Sequence, residues 1–268
     1  MSVLPLQDRA PAEAALIGGK ALGLVDLIAS GLPVPPAVVL TTEAHDRFRE
    51  HGSMAESDRA ALVAAIDELG EPLAIRSSAT DEDAGDRSAA GQYDSVMGAR
   101  GQHAVIAAVE HCWREAEHGR ALAYRDGTPP RVAVVVQREI AADRAGIAFS
   151  VDPVTGEEAA VLIEAVFGHG EGAVSGIVTP DRYRVERESG AVSARVADKA
   201  TATDGSGALL PLPRERRTAR TLRDDEAREV ATLVMAAERG LGRWVDVEFC
   251  FARGQLWALQ CRPITTLA

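Results

Sequence analysis

Three polar residues near the end of the sequence have the side-chain types that hold a metal-bound phosphate. Glu248 and Gln260 offer a carboxylate and a neutral amide oxygen, a combination that suits a hard cation such as Mg²⁺, which keeps several waters and shares phosphate oxygens. Arg262, two positions beyond the amide, can make a bidentate contact with a phosphate group. A polar strand face is more often simply solvated, so the pattern alone leaves both interpretations open.

These residues can act together only if the strands that carry them pair in the right register. Apolar and polar residues alternate on both sides of a turn, which predicts a hairpin over residues 245–262. We expect a three-residue loop, Ala252-Arg253-Gly254, with the glycine in the left-handed conformation. This loop sets residue 246 opposite 260 and residue 248 opposite 258, which places Asp246 and the three polar side chains on one face. A two-residue loop would place the two pairs on opposite faces.

Two segments in the first third of the sequence carry cations at positions suited to phosphate. Gly18-Gly19-Lys20 precedes an amphipathic helix, and glycines at a helix start let backbone N–H groups approach an anion. The spacing of a Walker A loop is absent, and such a segment alone is more often a flexible start of a helix. Arg76 follows the apolar run Pro72–Ile75, so its charge should emerge at the end of a buried strand, beside the hydroxyls of Ser77 and Ser78.

Two glycine-containing segments offer further candidates. Residues 88–95, which include Gly91 and Ser95, have the small-residue composition of a loop that can close over a nucleotide. The acidic run Asp81-Glu82-Asp83 before them would repel phosphate, and we interpret it as a solvated loop face. The run 168–172 places His169 among glycines, but a lone histidine in a glycine turn is more often structural than catalytic.

The elements that must position these residues form a mixed pattern. Helices are predicted after Gly18, after Asp224-Asp225, and near 43–51, 57–69 and 102–124. Strands are predicted at 37–41, 72–75, 132–136, 146–150 and 160–165, before the terminal hairpin. The chain between residue 165 and residue 224 looks irregular. Since helices and strands do not alternate strictly, the predicted class is α+β.

The composition excludes several classes of protein and of binding partner. The 268 residues include 29 Lys and Arg against 40 Asp and Glu, a formal net charge of −11, so nucleic acid and anionic membranes are not expected as partners. No apolar run is long enough to span a bilayer, and the N-terminus lacks the pattern of a signal peptide. Cys112, Cys250 and Cys261 have no paired spacing and are predicted to be buried thiols. We expect a cytoplasmic protein of one large domain or two lobes.

Motifs in a fixed order run through nearly the whole sequence. They are Gly18–Ala21, Pro33–Pro36, Arg76–Thr80, Ala90–Gln92, Val135–Gln137, Phe149–Gly156, Thr179–Tyr183, Asp246–Glu248 and Leu259–Thr265. In this order they resemble the N-terminal nucleotide-binding domain of the pyruvate phosphate dikinase, phosphoenolpyruvate synthase and rifampin phosphotransferase family. The resemblance implies an ATP-grasp fold of two lobes, with the nucleotide cleft between them. The lobes would be residues 1–136 and residues 137–268.

The same resemblance implies which residues bind ATP and Mg²⁺. They are Lys20, Arg76, Gly91, Ser95, Gln137, Glu248, Gln260 and Arg262. By the family pattern, the lysine and the first arginine hold the ATP phosphates and are the catalytic residues. The glycine and the serine belong to a loop that covers the phosphates, and the first glutamine lies at the hinge near the adenine. The glutamate and the second glutamine ligate Mg²⁺, and the last arginine grips a phosphate.

The resemblance also implies a reaction. Proteins of this family cleave ATP to AMP and pass a phosphate to a histidine on a swivelling domain, and from there to a small acceptor. None of the six histidines of this sequence lies in the Ser-His context of that domain, so the histidine is expected on a separate partner protein or domain. Two alternatives stay open, a direct ATP-dependent kinase of a small molecule and a non-catalytic nucleotide-binding regulatory subunit. His169 and Arg138 replace residues that are usual in the family, and they could alter nucleotide fit.

Overall fold

The structure, a computed structural model, describes residues 2–8, 14–80, 95–118, 131–170, 176–205 and 207–265. The chain divides into two compact units, which are Met1–Val25 with Pro35–Glu139, and Asp26–Val34 with Ile140–Ala268. The sequence interpretation placed the division between residues 136 and 137. Residues 137–139 instead end the first unit, and Asp26–Val34 packs with the second. There the Pro33 carbonyl accepts a hydrogen bond from the Ala258 N–H at 2.8 Å.

The first unit is built on a five-stranded antiparallel sheet. In sheet order, its strands are β1 (Val3–Pro5), β2 (Ala37–Leu40), β5 (Val132–Arg138), β3 (Leu73–Ala79) and β4 (Ser95–Ala99). The central strand β5 is buried along almost its whole length, and its unbroken run of valines and alanine is typical of a strand with both faces covered.

Helices cover one face of this sheet. The helices of this part of the chain are a 3-10 turn (Leu6–Asp8), α1 (Ala14–Ala29), α2 (Thr42–His51), α3 (Glu56–Leu69) and α4 (Gln102–His118). Ile75 of β3 and Val136 of β5 lie on the same face and are fully buried in a cluster with Trp113 of α4. Because successive side chains of a strand alternate, Arg76 and Gln137 lie on the opposite face.

The second unit is built on a six-stranded antiparallel sheet. In sheet order, its strands are β13 (Gln255–Pro263), β12 (Val245–Ala252), β6 (Arg144–Phe149), β7 (Ala160–Phe167), β8 (Asp181–Glu186) and β9 (Val192–Arg195). The remaining elements are a ribbon of β10 (Thr201–Thr203) and β11 (Leu209–Pro211), the short helix α5 (Arg214–Arg217) and the helix α6 (Asp224–Leu241).

Helix α6 covers one face of the second sheet. Its buried stripe includes Val230, and its Glu226 forms an ion pair with Arg144 of β6 at 2.7 Å. Arg144 is paired with Phe251 of β12, so α6 lies on the face that carries the odd-numbered residues of β12. Glu248 and the other even-numbered residues of β12 therefore lie on the face opposite α6.

The α+β class and most predicted elements are confirmed, with one error in the second half of the sequence. The chain between residues 165 and 224 is not irregular, because it contributes β8 to β11. Along β8, Tyr183 and Val185 are buried while Arg182 and Arg184 lie on the other face. The two arginines and the acidic strand ends concealed this alternation. Within the described parts of the chain, no helix combines the length and the hydropathy that crossing a bilayer requires.

Candidate functional site

The start of α1 is fixed to the end of β3. The helix is interrupted at Gly18, whose φ of 75° and ψ of 172° are not helical. A Cβ at this position would lie 2.1 Å from the Ser78 carbonyl oxygen, so only glycine fits. The Ser78 hydroxyl donates to the Ile17 carbonyl at 2.8 Å and accepts a hydrogen bond from the Ala21 N–H at 3.1 Å. The glycines were predicted to precede this helix, but they lie inside α1, and the kink at Gly18 is held against the strand that carries Arg76.

Three of the predicted phosphate-binding residues lie close together at this junction. Lys20 Nζ donates to the carbonyl oxygen of Ser77 at 2.9 Å, one residue beyond Arg76. Ser95, the first residue of β4, is paired directly opposite Arg76 in the sheet. The first unit therefore brings two cations and a hydroxyl together at β3. Arg76 is the central residue of this seven-residue strand, so the prediction that it lies at the end of a strand is wrong. The predicted loop residue Gly91 lies outside the described residues.

Gln137 lies on the same face of the first sheet as Arg76. In the β3–β5 pairing, Gln137 is opposite Ala74, two residues before Arg76. Its side chain is only 2% exposed, and its Nε2 has no hydrogen-bond partner among the described residues. A buried amide donor without a partner is costly, and a ligand acceptor such as a ring nitrogen could satisfy it. The residue lies at the end of β5, two positions before the first unit ends at Glu139.

The structure gives Arg138 and His169 local partners. Arg138 Nε donates to the carbonyl oxygen of Leu69 at 2.5 Å, which satisfies one of the last carbonyls of α3. The backbone N–H of His169 donates to the carbonyl oxygen of Thr203 at 2.8 Å. The contact of Arg138 shows how its side chain is accommodated, whereas the contact of His169 is made by the backbone and is independent of its side chain. The effect of the two residues on nucleotide fit stays a prediction.

The loop of the terminal hairpin differs from the predicted one. Ala252 is paired with Gln255, so the loop has only two residues, Arg253 and Gly254, with φ of 52° and 80°. Two positive φ values in a two-residue loop match the twist of the flanking strands, which favours this shorter turn. The predicted three-residue loop is therefore wrong, and so is the predicted register of 246 opposite 260 and 248 opposite 258.

A β-bulge nevertheless brings the polar side chains to one face. The pairing shifts by one residue just after Glu248 along β12, and Leu259 is the inserted residue on β13. As a result, Asp246 lies opposite Arg262 and Glu248 lies opposite Gln260. The four polar residues share the face opposite α6, as expected, but through a two-residue loop with a bulge.

Arg262 contacts both acidic residues of this face. Its Nε lies 3.4 Å from Asp246 Oδ1, and its Nη2 lies 3.4 Å from Glu248 Oε1. The two carboxylates and the guanidinium are partly shielded from solvent, and Gln260 is buried. Charges in such a setting interact more strongly than at an open surface. The second unit thus presents two carboxylates, an amide and a guanidinium on one strand pair.

The sequence from residue 50 to residue 268 matches the family described as pyruvate phosphate dikinase, AMP/ATP-binding domain. The chain belongs to this family. The membership that the motifs indicated is confirmed, and the ATP-grasp fold stays what the resemblance implies. The family is one of ATP-binding domains, which agrees with the cations and carboxylates described above.

Several curated relatives support this membership. The prodigiosin synthesizing transferase PigC of Serratia marcescens is 35% identical, over 94% of this chain and 32% of its own length. A probable phosphoenolpyruvate synthase of Methanocaldococcus jannaschii is 32% identical, over 94% of this chain and 26% of its own length. The rifampicin phosphotransferase of Streptomyces sviceus is 30% identical, over 99% of this chain and 36% of its own length. The chain thus spans between 26% and 36% of the length of these relatives.

The likeness of this chain to solved structures is remote, as one of them illustrates. The D-alanine–D-alanine ligase of Helicobacter pylori has 11% sequence identity and a TM-score of 0.46, over 92% of this chain and 54% of that chain. This likeness is too remote to bear on function.

The hairpin residues of this family member fit a magnesium–nucleotide complex. Carboxylate and amide oxygens are ligands that Mg²⁺ accepts, and Asp246, Glu248 and Gln260 offer them on one face. In the part of the chain that the structure describes, no group of three or more His, Cys, Asp or Glu forms a metal cluster. A cation at the hairpin would therefore take its remaining ligands from water and phosphate, as Mg²⁺ commonly does.

Two residues with a positioning role were not among the candidate site residues from the sequence. The alternation of β12 had already placed Asp246 on the face of Glu248, but no role in the site was assigned to it from the sequence. Ser78 fixes the start of α1 through both its hydroxyl and its carbonyl. No local pattern shows which strand end a helix packs against, so the role of Ser78 needed the structure.

Proposed function

We propose that this chain is the ATP-binding component of a dikinase-type phosphotransferase. It binds Mg·ATP, forms AMP and passes the β-phosphate to a histidine on a separate partner protein or domain, for onward transfer to a small acceptor. The γ-phosphate leaves, with water, as inorganic phosphate. The observation that carries the proposal is Arg262 in contact with Asp246 and Glu248, with Gln260 beside them, in a member of an ATP-binding family. A protein that only sensed nucleotide would not need both metal ligands and phosphate cations.

In the first unit, the proposal assigns the phosphates to Lys20 and Arg76. Arg76 also neutralises charge on the transferring group, the main demand of phosphoryl transfer besides positioning. Gly91 and Ser95 cover the phosphates. The buried Nε2 of Gln137, which has no hydrogen-bond partner among the described residues, supports a place for this side chain near the adenine, where it donates to an acceptor of the base.

In the second unit, the proposal assigns Mg²⁺ to Glu248 and Gln260 and a phosphate to Arg262. Bound Mg²⁺ supplies charge neutralisation on the phosphate oxygens. Arg262 then exchanges its two long contacts with carboxylates for a bidentate contact with phosphate, which is the stronger interaction for a planar guanidinium.

The partner histidine is supported by the lengths of the relatives. This chain spans 26% of the probable phosphoenolpyruvate synthase of Methanocaldococcus jannaschii and 36% of the rifampicin phosphotransferase of Streptomyces sviceus, which leaves most of those proteins for other domains. Their names give different acceptors, which supports an acceptor that is bound outside this chain. The cytoplasmic location stays a prediction.

Product analysis tests the proposal. The chain is incubated with Mg·ATP labelled on the β- or γ-phosphate, with and without proteins that carry the candidate histidine domain. We expect AMP and an acid-labile phosphohistidine on the partner. ADP with a phosphorylated small molecule would replace the proposal by the direct kinase, and bound but unchanged ATP would replace it by the regulatory subunit.

A substitution of Glu248 uses the same assay to test the assignment of the Mg²⁺ ligand. We expect Glu248→Ala to lower AMP formation by about a hundredfold or more, because the Mg²⁺ ligand is lost, while the melting temperature stays close to that of the wild type. Glu229→Ala is the matched control, since Glu229 is an exposed glutamate of α6. Full turnover in Glu248→Ala would remove the metal assignment.

A further inference from the structure

A cavity of about 560 Å³ opens on the face of the second sheet that also carries Glu248, over the outer strands β7 to β9. Its floor includes Phe149 and Leu162, which are directly paired and stand on that face. The volume is in the range of small-molecule sites, and an apolar floor with a few polar groups is their usual composition. None of the residues predicted to bind Mg·ATP lines this cavity.

One wall of the cavity is a loop with a fixed conformation. Asp152 Oδ1 accepts hydrogen bonds from the N–H groups of Val154 and Thr155 at 2.8 and 3.2 Å. Glu157, at the end of the loop, holds Arg184 of β8 through two hydrogen bonds at 2.7 and 3.1 Å. The loop belongs to the motif Phe149–Gly156, to which the proposed function gives no role. The wall is therefore formed before any ligand binds.

The charges that line the cavity leave one cation uncompensated. Across the sheet, Glu164 of β7, Arg182 of β8 and Arg195 of β9 lie in one row, and the two arginines are directly opposite each other. Like charges in this position repel. Glu164 forms an ion pair with Arg182 at 2.9 Å, whereas Arg195 has no ion pair or hydrogen bond to any described residue.

The other charged groups of the cavity are already engaged. Arg184 is paired with Glu157 and Glu186, and the Asp152 carboxylate is taken up by the N–H groups of its loop. Among the described residues that line the cavity, Arg195 is therefore the cation without a partner that an occupant can meet. A monoanion balances that charge, whereas a phosphate monoester brings nearly two negative charges.

We propose that this cavity binds a small organic carboxylate. Its apolar body lies on Phe149 and Leu162, and its carboxylate accepts a bidentate contact from Arg195 and relieves the repulsion with Arg182. The site goes beyond the proposed function and does not depend on it. Phe149 is paired directly with Asp246, so the apolar end of the ligand lies one strand spacing, about 5 Å, from the hairpin. Arg195 lies four strand spacings, roughly 19 Å, from β12, so the ligand extends away from the hairpin carboxylates and leaves them to Mg·ATP.

Calorimetric titration with 1-naphthaleneacetate, an apolar carboxylate, tests the site in the full chain. We expect binding to the wild type that persists in saturating Mg·ATP, and at least about tenfold weaker binding of two probes, the neutral 1-naphthaleneacetamide and the dianionic 1-naphthyl phosphate. Equal binding of the amide would overturn the role of the charge. Tighter binding of the phosphate would overturn the carboxylate class, and competition by Mg·ATP would place the probe elsewhere.

Variants of the edge strand locate the probe. We expect Arg195→Ala to weaken binding of 1-naphthaleneacetate about tenfold and Arg195→Lys to restore part of it. Ser193→Phe, which fills the cavity from an exposed position of β9, should abolish binding. Arg214→Ala, at an exposed arginine of α5, is the matched control and should bind as the wild type does. Unchanged binding in both Arg195→Ala and Ser193→Phe overturns the proposal.

Discussion

Arg262 lies across the strand pair from Asp246, and its guanidinium reaches both Asp246 and Glu248 at 3.4 Å. Contacts of this length are weak hydrogen bonds. The arginine therefore offsets the repulsion between the two neighbouring carboxylates without holding either of them rigidly. The same guanidinium can turn to a phosphate when a cation binds the carboxylates. This relationship links the stability of the hairpin to its proposed function.

Substitution of Arg262 should separate phosphate binding from folding. We expect Arg262→Ala to raise the KM for ATP about tenfold, because a charge-assisted contact with phosphate is lost. Arg262→Lys should recover part of the loss, since it keeps the charge but not the planar fork. Steady-state AMP formation measures both variants. An unchanged KM in Arg262→Ala would contradict the assignment.

The Gln137 side chain should matter more to the ligand than to the fold. Its buried Nε2 has no partner among the described residues, so Gln137→Met removes a costly donor and keeps the volume. We expect the free energy of unfolding to change by less than about 1 kcal/mol, and the Kd for ATP to rise about tenfold. Urea unfolding and calorimetry give the two quantities. A variant that binds ATP normally would show that the amide does not contact nucleotide.

Gly18 and Gly31 form a matched pair for measuring the close contact at the start of α1. Their φ values are 75° and 73°, but a Cβ at Gly18 would meet the Ser78 carbonyl at 2.1 Å, and one at Gly31 would meet nothing within 4 Å. We expect Gly31→Ala to cost about 1 kcal/mol and Gly18→Ala at least about 2 kcal/mol more, because only the second adds a clash. Urea unfolding measures both, and equal losses would rule out the clash.

His45 should make the stability of the first unit depend on pH. The side chain is fully buried and stacks on Trp113, and its Nδ1 accepts a hydrogen bond from the Val132 N–H at 3.2 Å. Burial, and then the charge of Arg49, lower the pKa of His45 to about 4. Between pH 6.5 and about 4 the unfolded chain binds a proton that the folded chain does not, so the free energy of unfolding falls as the pH falls.

The size of this effect can be isolated with a variant. Over that pH range, His45 should account for a loss of roughly 3 kcal/mol in the wild type. His45→Asn removes the titrating group and should flatten the curve of unfolding free energy against pH, whereas His111→Asn, at an exposed position of α4, should not. Parallel curves for the wild type and His45→Asn would contradict the buried neutral histidine.

Local patterns predicted the helices and the central strands well, because those elements have a clear apolar period. Val230 and Val234 of α6, for example, are both fully buried, as their spacing requires. The strand β8 was missed because Arg182 and Arg184 stand on its partly open face and mask the period. Charged residues with long apolar stems pack on a sheet as readily as they extend into solvent.

The site was predictable in its residue types and only partly in its geometry. Alternation around Glu248 placed the polar residues on one strand face, but the preference for a two-residue turn and the inserted Leu259 are decided by the fit of the whole hairpin. Likewise, the glycines before Lys20 indicated a close approach, but not that Ser78 would be the group approached. Such pairings depend on long-range packing, which a single sequence does not encode in any one segment.

The inserted Leu259 has a consequence for how this hairpin can change in evolution. A loop with an odd number of residues, or an even loop with one insertion in a strand, both leave the acid and the amide on the same side. In the present hairpin, adding one residue to the loop without removing Leu259, or removing Leu259 without lengthening the loop, would turn Gln260 and Arg262 toward α6. Either of these single changes would bury a guanidinium in the core. Gains and losses of single residues at the turn and at position 259 must therefore offset each other in any descendant that keeps the site.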